Sequence, residues 1–115
     1  MRSSPDDSSP NSSYAVIFTS RRNDRDEDGY ARMAAAMERL AGQQPGFLGI
    51  ESARDAQGLG ITVSYWESLE AVEAWRRNAE HLVAQGLGRS AWYEQYAIRV
   101  CRVEWETRWS HGEGP

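Results

Sequence analysis

The sequence predicts an α+β domain of the ferredoxin-like kind, with elements in the order β-α-β-β-α-β, and three observations carry that expectation. Two segments repeat apolar residues at spacings of three and four, as amphipathic helices do. Four short runs are rich in β-branched and aromatic residues, as strands are. The second and third of these runs are joined by the turn Asp55-Ala56-Gln57-Gly58, which is too short for a crossover and so makes a hairpin. The arrangement that follows is a four-stranded antiparallel sheet with both helices on one face.

Tyr14 to Ser20 (YAVIFTS) is the first strand. The polar run Arg21 to Asp28 is read as a loop, its last acids placed where a helix N-terminus favours negative charge. Gly29 to Gln43 is the first helix, with Tyr30, Met33, Met37, Leu40 and Ala41 on one face. Its run Ala34 to Ala36 favours the helical state, and Pro45-Gly46 turns the chain after it. Phe47 to Arg54 and Gly60 to Trp66 are the hairpin strands. Ser68 is placed as the N-cap of a second helix whose buried stripe is Leu69, Val72, Trp75, Ala79 and Leu82. Gly86 and Gly88 break that helix. Arg89 to Gln95 is read as a short helical turn, and Tyr96 to about Trp105 as a long last strand.

Residues 1–13 are rich in Ser, Pro and Asp and read as a solvated tail, and residues 110–115 offer nothing to pack, so the folding unit is 14–109. The first strand is apolar at both parities: Ala15 and Ile17 oppose Tyr14, Val16 and Phe18. Two helices cover one face only. The other face is expected to bury itself against a second copy, giving a homodimer with sheets packed face to face and the last strands helping to join them.

Composition removes many chemistries. A net charge of −4 argues against nucleic acid, because neutralising phosphates needs a basic field. All 13 basic residues are arginine, so Schiff-base, phosphate-loop lysine and pyridoxal phosphate chemistry lack their side chain. The single cysteine and two histidines make an internal disulfide impossible and a dedicated zinc site improbable. No run approaches the ~20 apolar residues of a membrane span, and no apolar leader stands at the start, so a cytoplasmic protein is expected.

Of the motifs, Gly86-Leu87-Gly88-Arg89-Ser90-Ala91 fits G-x-G-x-x-A, but nucleotide binding needs that pattern between a strand and a helix, and here it follows a helix. Asp24, Asp26, Glu27 and Asp28 are read as a solvated helix entrance. The aromatic set Phe18, Tyr65, Trp66, Trp75, Trp92 and Tyr93 falls on elements that face each other between sheet and helices. Core packing accounts for any one of them; five tryptophans in so small a unit point, as a group, to a ligand-sized cavity. His81 lies about 240° around its helix from Trp75 and shares a face with Arg77, Asn78 and Gln85. It reads either as a surface residue or as a general base at a pocket mouth. Cys101 is expected to be a buried strand residue and His111 an inert tail residue.

On Pro45-Gly46-Phe47-Leu48-Gly49, Ser64-Tyr65-Trp66 and Trp75-Arg76-Arg77-Asn78-Ala79-Glu80-His81, the chain from Tyr14 to about Glu104 resembles the antibiotic biosynthesis monooxygenase (ABM) domain family. The resemblance implies a dimeric α+β barrel with a cavity between sheet and helices in each protomer. Some members oxygenate aromatic polyketide or quinol substrates without flavin, metal or haem. There the deprotonated substrate is the electron source for O₂, and the protein supplies a base, an apolar cavity and donors for an oxyanion. A haem-degrading branch uses an Asn on the first strand, a Trp on the second helix and a His ten residues after it. Trp75 matches that Trp, but Ser20 and Gln85 stand at the other two positions, and His81 comes about one helical turn too early.

The leading expectation is a cofactor-independent monooxygenase acting on a small aromatic or quinol-type molecule. His81 would be its base, and Asn78 would orient the substrate or stabilise negative charge. Trp66, Trp75, Tyr93 and Phe18 would form the apolar walls. The alternatives are a non-catalytic binding or sensing dimer that uses the same cavity, and a haem-binding or haem-degrading enzyme.

Overall fold

The computed structural model describes residues 13–23, 27–85 and 93–112. Their elements are β1 (Ser13–Arg22), α1 (Glu27–Gly42), β2 (Phe47–Arg54), β3 (Leu59–Trp66), α2 (Leu69–Gln85) and β4 (Tyr93–Val103). This is the ferredoxin-like α+β order. The strands run β2-β3-β1-β4 across one sheet, every pairing antiparallel. The N-terminal tail, Asp24 and Asp26, the segment Gly86 to Trp92 and the last three residues lie outside the described set, as does the side chain of Leu82. Among the described residues, no helix is long and apolar enough to cross a membrane.

The register explains which residues meet the helices. Directly paired residues point to one face, so Val16 and Phe18 of β1 share a face with Ser64 and Thr62 of β3. Ile98 of β4 joins them opposite Phe18, and β2 adds Ile50, Ser52 and Arg54. The helices lie on this face. Val72, Trp75 and Ala79 of α2 and Ala41 of α1 pack with Val16 and Trp66 into the main core, flanked by Met37, Leu40, Phe47 and Ile98. Trp66 is 0% exposed. Its ring stacks on Trp75 at 5.7 Å and meets Phe47 edge-on at 5.5 Å, so one side chain joins β3, α2 and β2.

Both turns that set this geometry were chosen locally. Ser68 caps α2, its Oγ accepting the Ala71 amide at 3.1 Å. The Asp55 carboxylate accepts the Gln57 and Leu59 amides at 2.9 Å each and closes the hairpin. At Gly46 (φ 84°) a Cβ would come within 2.7 Å of the Ala71 Cβ, so only glycine lets the start of β2 pass this close to α2.

Four local expectations are corrected. Arg21 and Arg22 belong to β1, because their pairing with Gln95 and Tyr93 continues the ladder beyond Ser20. For the same reason Tyr93 to Gln95 are strand, not a helical turn, and β4 ends at Val103. Leu69 is half exposed, since the first residue of the helix projects beyond the sheet. Cys101 is exposed, since its pairing with Ala15 puts it on the face away from the helices. That outer face also carries Ile17, paired with Val63, and Ile61, which is 43% exposed.

Because Trp66 is buried and contacts three elements, Trp66→Ala is expected to lower unfolding free energy by about 3–5 kcal/mol. Urea denaturation would show it; a loss below about 1 kcal/mol would contradict this account of the core.

Candidate functional site

Between sheet and helices lies a cavity of about 230 Å³. Its floor is the alternate set of sheet residues, with Val16, Phe18, Ile50 and Ile98 around the hydroxyls of Thr62 and Ser64. The helical side comes from the periodic face of α1, Tyr30, Met33 and Met37, and from Trp75 and Ala79 of α2. Tyr93, at the start of β4, packs against Phe18, Tyr30, Met33 and Met37 in a second small cluster. Its ring meets Phe18 at 5.7 Å and Tyr30 at 5.9 Å, both edge-to-face. The walls are therefore mostly apolar and rich in aromatic rings, suited to a flat organic molecule.

Apart from Arg76, which lines the cavity but is paired with Glu73 and Glu80, three sets of polar groups stand on these walls. First, the Trp66 indole donates to Ser64 Oγ at 2.9 Å in a buried bond. A hydroxyl that accepts this bond keeps its own proton to donate. Second, Ser52 Oγ lies 3.5 Å from Glu38 Oε2, and Glu38 is the one carboxylate among the described lining residues. Third, Arg54 donates from Nη2 to the Tyr30 hydroxyl. The guanidinium carbons of Arg22 and Arg54 lie 4.3 and 4.5 Å from the Tyr30 ring centroid. Partial burial and the Arg22 charge both pull the Arg54 pKa below its ordinary value, so its head is partly dehydrated even though much of its side chain is exposed. Burial pushes the Tyr93 phenol up from 10.0 to about 12 against the opposing pull of Arg54 and Arg22, which keeps it a protonated donor.

Of the residues expected at the site, Trp75, Tyr93 and Phe18 are brought together around the cavity. Trp66 stands outside the lining and acts on it through Ser64. Asn78 is half-buried, its Nδ2 3.5 Å from Gln44 Oε1, so it ties α2 to the chain just after α1. His81 is exposed on α2 and is not among the described lining residues. Tyr65 lies on the outer side of the sheet with its hydroxyl 3.2 Å from Glu51. Sequence reasoning missed Ser64, Glu38, Tyr30 and Arg54. Arg54 was within reach: it continues the alternation Ile50, Ser52, Arg54 on the inward face of β2.

The profile of the antibiotic biosynthesis monooxygenase family matches residues 13–87. The chain belongs to that family. It is 54% identical over 91 residues, covering 79% of each chain, to the uncharacterized protein YqjZ of Bacillus subtilis. It is 31% identical over 94 residues to jasmonate monooxygenase ABM of Pyricularia oryzae; the match spans 78% of this chain and 43% of that protein. Among solved structures it is similar to SnoaB, a cofactor-independent oxygenase from Streptomyces nogalater, at a TM-score of 0.59 and 14% identity, over 90% of this chain and 99% of that one. At that identity the likeness is one of fold.

Within the ABM family, the arrangement of the haem-degrading branch does not fit these residues. Trp75 is kept, but Ser20 occupies the β1 position and the exposed His81 does not reach the described cavity wall. Among the described residues no cluster of three His, Cys, Asp or Glu could hold a metal ion.

Tyr93 generates a pH prediction. Its pKa is higher folded than unfolded, so its stabilising contribution is complete below pH 10.0 and is lost as pH rises through about 12. Over that interval the unfolded chain releases the proton first and is favoured. Stability of the wild type is expected to fall more steeply there than that of Tyr93→Phe, measured by denaturant midpoints; parallel curves would contradict a buried protonated phenol.

Proposed function

We propose that this ABM protein is a cofactor-independent monooxygenase that oxidises a small aromatic, quinol-type molecule with O₂ in the cavity above Ser64. The observation that carries the reading is a buried serine hydroxyl, fixed by the Trp66 indole, on the floor of a cavity whose walls are mostly apolar. A preset donor at the phenol oxygen favours a phenolate over the neutral phenol, and the phenolate is the electron-rich form that reacts with O₂. The family membership and the likeness to jasmonate monooxygenase ABM support the same class of reaction, and the fold is shared with the cofactor-independent oxygenase SnoaB.

In this reading Phe18, Trp75 and Tyr93 sandwich the ring system, Ser64 and Thr62 hold the developing oxyanion, and Glu38 accepts the phenolic proton. For a hydroxynaphthalene the ring C–H para to the oxygen becomes a quinone carbonyl. One atom of O₂ enters the product as that carbonyl. The other leaves as water with the ring and phenol hydrogens, so the substrate supplies all the electrons and no separate reductant is needed. The apolar outer face, with Ile17, Ile61 and Val63, supports a homodimer formed sheet to sheet.

The test is O₂ uptake with 1,5-dihydroxynaphthalene, with quinone absorbance as the second readout. Wild type is expected to accelerate both, and Ser64→Ala to lower kcat by about 10²-fold. Glu38→Gln is expected to lose rate as well, whereas His81→Ala is expected to stay within about twofold, as an exposed side chain should. A His81→Ala loss as large as that of Ser64→Ala would move the base to His81. Ligand-induced thermal stabilisation without any O₂ uptake would make the chain a binding protein instead. Light scattering at micromolar concentration is expected to give twice the chain mass; a monomer would contradict the sheet-to-sheet pairing.

A further inference from the structure

The Arg54 end of the cavity is built in a way that the proposed oxidation does not use. Arg54 pairs in register with Gly60, which is buried and has no side chain. A Cβ on Gly60 would lie 3.0 Å from Arg54 Nη1 and 3.1 Å from Cζ. The guanidinium therefore lies flat across the glycine, along the sheet toward β1, although much of the side chain is exposed. Its Nη2 bond to the Tyr30 hydroxyl holds it there. A glycine inside a strand often marks such a close approach.

Arg54 is partly dehydrated and has a second cation, Arg22, against the same tyrosine ring. Among the described residues Arg54 makes no salt bridge, although Arg76, Arg102 and Arg108 each do. The nearby described acids form no salt bridge with it. The Asp55 charge acts on Arg54, but its carboxylate is engaged by the hairpin amides; Glu38 lies beside Ser52, and Glu27 and Glu94 border the outer groove but not the cavity. A cation laid along the sheet beside another cation, with no salt bridge among the described residues, is matched to an anion brought by a ligand.

We propose that Arg54, laid across Gly60 and held by Tyr30, binds a carboxylate on the cavity's ligand, so that the site takes an aromatic acid: an apolar ring system lodged between Phe18 and Trp75 with its acidic group on the guanidinium fork. The inference rests on the cavity being the ligand site, and it specifies the class of molecule that enters. Arginine suits this role because its planar fork meets both carboxylate oxygens at once.

The probes are 1-naphthoate and 1-naphthamide, which share a ring system and differ in charge at about pH 7. Both are titrated by calorimetry into wild type, Arg54→Gln and Gly60→Ala. Wild type is expected to bind the naphthoate about tenfold more tightly than the amide, with the preference shrinking as salt is raised. Arg54→Gln is expected to abolish the preference while leaving amide affinity intact, which also shows that the cavity is still folded. Gly60→Ala keeps the charge but displaces it, and is expected to reduce the preference severalfold. Equal binding of the two probes by wild type, or a preference that survives in Arg54→Gln, would overturn the assignment and leave the oxygenase reading standing. Binding of neither probe would remove the ligand cavity and both readings with it.

Discussion

The stacking of Trp66 on Trp75 is the contact on which the rest of the structure depends. Trp66 ends β3 and is the largest fully buried side chain among the described residues, Trp75 lies on α2, and their rings are 5.7 Å apart with an interplanar angle of 23°. Ser68 caps the helix between them and Gly46 lets the β2 corner pass beneath its first turn. With α2 fixed at that distance from the sheet, the face of α1 that carries Tyr30, Met33 and Met37 closes over the other half of the floor. The floor residues Thr62 and Ser64 are too small to fill the space left between the helices and the sheet there. A cavity is what remains.

The same tryptophan links packing to chemistry. Its indole N–H would be a costly unsatisfied group at zero exposure, and Ser64 accepts it. Satisfying that donor orients a hydroxyl under the cavity, so the group that completes the core also supplies the polar feature of the floor. At the opposite end, Arg54 and Tyr30 make a cationic rim. Apolar walls between a hydroxyl floor and a guanidinium rim discriminate by shape and charge together, consistent with a ligand that is flat, mostly apolar and polar at two positions. Membership in the ABM family fixes the frame for this cavity; the Ser64 floor and the Arg54 rim are read from this chain's own side chains.

Much of the fold was legible because its signals are local and periodic. The alternation in β1, the spacing of Val72, Trp75 and Ala79, the Ser68 cap and the Asp55 turn each act within a few residues, and each appears where expected. Features that depend on register were harder to read. Tyr93 to Gln95 looked helical by local composition, yet pairing with Arg21 and Arg22 draws them into the sheet. Phe18, Trp75 and Tyr93 could be placed near one another from their elements, but the inward lie of Arg54 depends on which residue faces it across the hairpin, and only the register makes that Gly60. His81 was singled out for its chemistry; its helical phase, well away from Trp75, already pointed outward.

Ligand entry between Trp75 and the sheet is reported directly by the indole N–H resonances of a ¹⁵N-labelled sample, because Trp75 lines the cavity and Trp66 is bonded to its Ser64 floor, whereas Trp105 and Trp109 are 78% and 82% exposed on the C-terminal segment. Titrating 1,5-dihydroxynaphthalene without oxygen should shift the Trp66 and Trp75 signals, that of Trp66 through its bond to Ser64, and leave those of Trp105 and Trp109 in place. Shifts confined to Trp105 and Trp109, with Trp66 and Trp75 unmoved at saturation, would contradict the account.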